Sequence, residues 1–128
     1  MLLKIEPSSL PPVDAVTVVD LQELGSTLEA VRAASEEPCD QALGQEIASA
    51  WRRLELGMQA RCHLPPVAFR FFSNGEAILE ATVCWKCNNI LGERGGERIS
   101  ISFNSSCEAA AELLSLAERA IGRRIGSE

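Results

Sequence analysis

The sequence predicts an α+β domain: an antiparallel meander of three strands, extended to four by Val16–Val19, with three helices packed on one face of the sheet. Three observations carry this. Residues 67–71 and 77–83 alternate around a Ser73-Asn74-Gly75 loop; residues 98–103 alternate in the same way after Gly95-Gly96; and three other stretches place apolar residues at helical spacing behind capping signals. At 128 residues, with 46% hydrophobic and 23% charged residues, the chain suits a single domain over 1–128, large enough to bury roughly two-thirds of its unfolded surface.

Residues 1–15 read as an extended lead-in, because Pro7, Pro11 and Pro12 each lack a backbone donor and disfavour helix in the residue before them. The β-branched run Val16–Val19 reads as a strand at an edge or beside the main hairpin. Asp20 and Glu23 have capping-box spacing, and Leu24, Leu28 and Val31 follow on one helical face, weakened at Gly25 by about 1 kcal/mol and ended by Glu36-Glu37-Pro38. A second helix starts near Asp40, with Leu43, Ile47, Ala50, Trp51 and Leu54 as its apolar stripe, Arg52 and Arg53 at its C-terminal end and Gly57 as its stop.

A three-residue hairpin loop with Gly75 left-handed sets Phe71 opposite Ala77, Phe69 opposite Leu79 and Val67 opposite Ala81. A two-residue Asn74-Gly75 loop would instead bring Phe69 across from Glu80 and is rejected. A tight turn at Gly95-Gly96 brings Ile90 opposite Ile101. The last helix opens with Ser105 and Glu108 as a capping box, carries Ala110, Leu113, Leu114, Ala117 and Ile121 on one face, and stops at Gly122.

The formal charge of −6 disfavours a nucleic-acid or anionic-membrane surface, since phosphate binding draws on clustered Lys and Arg. Residues 1–50 hold nine acids against Lys4 and Arg32, whereas the rest of the chain is nearly balanced. Solvated helix faces account for this, and a basic protein partner is the functional alternative. The N-terminus lacks the apolar core of a signal peptide and no run reaches a membrane span, so a cytoplasmic location with reduced cysteines is expected.

Extending both hairpin registers brings Cys62 and His63 across from Lys86 and Trp85, Cys87 across from Asn104, and Cys84 across from Cys107. Four cysteines and the sole histidine therefore gather at one end of the sheet. Three readings compete there. Cys84, Cys87, Cys107 and either Cys62 or His63 have the donor types for zinc, and Cys-x-x-Cys lets two thiolates reach one ion. Lys86 and a nearby helix N-terminus would favour thiolate at Cys84-Trp85-Lys86-Cys87, which suits thiol redox chemistry. The third reading is packing: small apolar cysteines, Cys39 among them, and a hydrogen-bonded His63. Single-histidine chemistry without Gly-x-Ser-x-Gly or a P-loop offers no hydrolase or nucleotide signature.

The segments Arg61-Cys62-His63-Leu64-Pro65 and Cys84-Trp85-Lys86-Cys87-Asn88-Asn89, joined by a hairpin, resemble a signature of small uncharacterised bacterial proteins. The resemblance covers about the middle quarter of the chain and implies a cytosolic bacterial domain, with no activity attached to it. Taken together, the expected function is a small non-catalytic binding or accessory protein, holding a protein partner through its acidic surface or through the exposed sheet end around Trp85, Lys86, Asn88 and Asn89. A zinc domain and a Cys-x-x-Cys redox protein are the alternatives.

Overall fold

The computed structural model describes residues 2–21, 36–58 and 63–125. These build one seven-stranded mixed sheet with two α-helices, which corrects the expected three- to four-stranded antiparallel meander under three helices. The strands are β1 (Leu3–Lys4), β2 (Ala15–Asp20), β3 (Glu36–Pro38), β4 (Val67–Ser73), β5 (Glu76–Cys84), β6 (Asn89–Arg94) and β7 (Glu97–Ser102). They lie in the order β1-β7-β6-β5-β4-β2-β3, antiparallel throughout except for β1, which runs parallel to β7. The helix expected after Asp20 falls on 22–35, outside the described residues. Asp20 itself ends β2, and Glu36–Pro38 pairs with β2 as an edge strand.

Helix α1 (Gln41–Arg52) starts where its signal stands, with Asp40 as the N-cap accepting from the Leu43 N–H at 2.8 Å, but it ends at Arg52, ahead of Leu54 and of the expected stop at Gly57. Helix α2 (Glu108–Ile121) stops at left-handed Gly122, but Cys107, not Ser105, takes the N-cap position and makes no side-chain cap bond. Both helices cover one sheet face. Val16, Val18, Phe69, Phe71, Ala81, Val83, Ile90, Ile99 and Ile101 join Ile47, Trp51, Ala110, Leu113 and Ala117 in a single core. Trp51 stands edge-on to Phe71 at 5.0 Å and to Phe69 at 6.1 Å, the geometry that the aromatic quadrupole favours.

The β4–β5 hairpin corrects the predicted register. Its turn has two residues, Asn74 and Gly75, with φ of 54° and 81°, the primed conformation that suits the twist of a hairpin. A bulge between Phe71 and Phe72 skips Ile78, so Phe69 meets Ala81 rather than Glu80. Residues 67–71 and 79–83 keep their expected faces with their pairs moved along, whereas Ala77 pairs with Phe72 on the other face and Ile78 packs against the core. The Ile90–Ile101 pairing stands as expected, although residues 89–94 form a full strand that the expected meander lacks. Gly92 lets β6 close on β5: a Cβ there would lie 2.1 Å from the Glu80 carbonyl oxygen.

Both outer edges are protected. β3 contributes Glu37 and Pro38 at one side. On the other, the outer edge of β7 is met by β1, by the Gly57 N–H donating to Ser102 O at 3.1 Å, and by a Leu56–Phe103 bridge. No helix among the described residues is long and apolar enough to cross a membrane.

Candidate functional site: the sheet end at the 84–89 turn

Strand alternation turns Arg70, Glu80, Thr82 and Asn89 away from the helices, onto the opposite face of the sheet. Arg70 links two acids there. Its Nη1 pairs with Glu36, which also accepts from Thr17 Oγ1 at 2.8 Å, and its Nε lies 2.8 Å from Glu80 Oε2 as an ion pair without hydrogen-bond alignment. The guanidinium also sits 5.3 Å from the centre of the Phe72 ring.

Toward the turn end of the same face, His63 bridges two strands. Its Nδ1 lies 2.5 Å from Asn89 Oδ1 and its Nε2 lies 2.7 Å from Thr82 Oγ1. We assign the tautomer from this network: Nδ1–H donates to the amide oxygen, and the Thr82 hydroxyl donates to Nε2, with Leu91 O at 3.1 Å as the other acceptor for the same proton. Burial lowers the His63 pKa below its ordinary value, and the Asn89 bond partly opposes that shift. A neutral imidazole near pH 7 follows.

Hydroxyl, imidazole and amide stand in the order of a nucleophilic triad, yet Thr82 is 1% exposed in mid-strand and its hydroxyl has a backbone acceptor. The arrangement ties the chain ahead of β4 to β5 and β6. Asn89 is thus a structural partner of His63, and His63 meets Asn89 rather than Trp85. Thr82 escaped the sequence reading because a threonine on the polar side of a strand carries no motif; its signal was only its place two residues from Cys84.

The cysteines do not act as one group. Cys39, Cys84 and Cys107 are free thiols, whereas Cys87 is disulfide-bonded, so the cysteines are not all reduced as expected and Cys84 and Cys87 are not bonded to each other. Cys107 lies in the main core at the start of α2. Cys84 lines a cavity at the sheet end. Burial, with Asp40 beside it, pushes the Cys39 thiol up to about 11, so it is a poor nucleophile. Cys62 lies outside the described residues. Among the described residues, no three His, Cys, Asp or Glu side chains are grouped to hold a metal ion, and both His63 nitrogens are occupied by hydrogen bonds.

No family model, curated protein or solved structure matches the chain.

The turn itself is built for display. Trp85 is half-buried and donates Nε1–H to Ala110 O at 2.9 Å, which anchors the turn to α2. Lys86 is exposed beside it. Asn88 takes a left-handed φ of 58°, accepts from the Phe103 N–H, and donates Nδ2–H to Met58 O at 3.2 Å. Beside the turn lies a cavity of about 220 Å³ lined by Leu64, Pro66, Cys84, Trp85, Lys86, Leu114 and Ile125. Large apolar side chains stand in solvent around this end: Met58 is 88% exposed, Leu64 76% and Leu56 58%. Leu2 and Leu3, also exposed, continue the row along the outer edge of β7. Sequence reasoning passed over Met58 and Leu64, because isolated apolar residues in a loop belong to no periodic stripe.

The N-terminal acids among the described residues, by contrast, are largely engaged. Arg123 grips Asp20 through two nitrogens at 2.9 and 2.6 Å, Arg70 holds Glu36, and Arg119 lies 3.6 Å from Glu46. Asp40 caps α1 and Asp14 accepts from the Asn74 N–H.

Proposed function

We propose that this is a non-catalytic binding protein that holds a protein partner through the sheet end around the 84–89 turn. One observation carries the reading: Met58, Leu64 and Leu56 stand exposed about a turn that is itself pinned to α2 and to the 56–58 segment, next to an apolar cavity of about 220 Å³. Exposed apolar groups grouped on a rigid rim mark interaction surfaces, and a cavity of this size takes one buried anchor side chain. The acidic version of the reading loses support because most of the described acids of residues 1–50 are tied internally. A net charge of −6 also disfavours nucleic acid as the partner.

Membership of the small bacterial family that Arg61–Pro65 and Cys84–Asn89 resemble belongs to the same proposal. The Cys87 disulfide also speaks against a cytoplasmic setting, since cytosolic thiols are held reduced.

Site-specific photo-crosslinking in the source cells tests the proposal. A photoreactive phenylalanine at position 58 or 64 is expected to give one discrete adduct of common mass, and the same probe at Glu37 none. Adducts from position 37 with none from 58 or 64 would refute it.

A further inference from the structure

We infer that Cys84 is an internal exchange partner for the Cys87 disulfide, so that the crosslink moves to Cys84–Cys87 and unclips the 84–89 turn. Two sulfur states stand on this one turn: Cys84 is a free thiol, and Cys87, three residues on, is disulfide-bonded. Cys84 ends β5 and pairs with Asn89 at the start of β6, so both cysteines belong to one tightly closed connection. A chain that folds back within four residues brings its end Cα atoms within about 7 Å, and disulfides span Cα separations of about 4.4–6.8 Å. The present bond does not lie within the turn, because the other cysteine of the turn is the free Cys84. It therefore ties the turn to a cysteine outside it.

The other free thiols are less suited to this exchange. Burial holds the Cys39 thiol up at about 11, and Cys107 is packed in the main core at the start of α2. Cys84 instead lines the cavity of about 220 Å³, which leaves its side chain room to turn. In the exchange Cys84 gives its proton to solvent and its thiolate attacks Cys87 Sγ. The Cys84–Cys87 bond forms as the present bond breaks, and the departing sulfur leaves as a thiolate that takes up a proton. One disulfide replaces another, so neither oxidant nor reductant is consumed. The turn then keeps its hydrogen bonds from Trp85 to Ala110 and from Asn88 to Met58, but loses its covalent tie. This thiol switch stands independently of the binding role, although it acts on the same turn.

The test is disulfide mapping of the native full chain, held without added thiol at about pH 8.5 so that thiolate is plentiful, then quenched in acid, alkylated and cleaved with trypsin. Cleavage after Lys86 puts Cys84 and Cys87 on different peptides, so a bond between them is read as a linked pair. The linked pair is expected to grow with time while alkylation of Cys84 falls in step and the total of alkylated thiols stays constant. Cys84→Ser abolishes the pair, and Cys107→Ala leaves it forming.

A wild-type protein in which the pair never forms overturns the inference. Parallel loss of Cys39 and Cys107 alkylation, the mark of general scrambling, overturns it too. So does a pair that forms only with a net loss of thiols, the mark of oxidation by air. None of these outcomes touches the crosslinking test of the binding role.

Discussion

The two faces of the sheet are both buried, yet they are held by different physics. On the helix-covered face, Phe69, Phe71, Ile90, Ile99 and Ile101 pack against Trp51 and Leu113, and stability comes from apolar area and close fit. On the opposite face, Glu80, Thr82, Asn89 and Ser100 are buried polar groups, and Arg70 and His63 give several of them partners. The first face tolerates small changes in proportion to the volume lost. The second loses partners all at once, because a group left behind is stranded out of water. The end where the two faces meet, at residues 84–89, presents apolar side chains to solvent, and the proposed binding role resides there.

Breaking the helix-covered face should give the largest effect. Trp51→Ala removes the edge-on contacts to Phe69 and Phe71 and opens a large hole; a loss of about 3–5 kcal/mol is expected by denaturant unfolding. A loss under about 1 kcal/mol would mean that the core is not organised around it. On the polar face, Arg70→Ala leaves Glu36 and the largely buried Glu80 without their shared cation, and about 2 kcal/mol is expected.

His63 gives a smaller, pH-dependent effect. Its folded pKa is depressed, so as pH falls the unfolded chain takes up the proton first. Stability attributable to His63 is therefore flat above about pH 6.5 and declines from there down to the folded value. It levels off below that, and His63→Asn should remove this segment of the stability–pH curve. A curve that is unchanged by the substitution contradicts the buried neutral imidazole. Smallest of all is a chemical count. Alkylation of the denatured, unreduced protein should label Cys39, Cys84 and Cys107, and labelling of Cys87 should need reduction.

Much of the sheet interior was legible in the sequence, because period-two alternation assigns faces: Val67, Phe69, Phe71, Leu79, Ala81 and Val83 join the core as expected, whereas Ala77, on the turn side of the bulge, pairs with Phe72 instead. Helix α1 was legible from Asp40 to Trp51, and so was the Ile90–Ile101 pairing. The bulge at Ile78 was not, since nothing local marks an extra residue whose justification is the pairing of Phe69 with Ala81 rather than Glu80. Nor were β1 and β3: strands of two and three residues are fixed by partners far along the chain, Ile99 and Val18 among them. The sheet end was foreseen as a gathering of cysteines and histidine. What assembles there is a hydrogen-bonded His63, a disulfide at Cys87, free thiols at Cys84 and Cys107, and exposed apolar residues that had carried no pattern.

The most direct test of the binding role is the dissociation constant of the complex recovered by crosslinking, compared between the wild type, Leu64→Asp and Glu37→Lys. Leu64→Asp is expected to weaken the complex at least tenfold, about 1.4 kcal/mol, and Glu37→Lys to stay within twofold. If Glu37→Lys abolishes binding while Leu64→Asp leaves it intact, the partner is held by the acidic surface and the sheet end is not the interface.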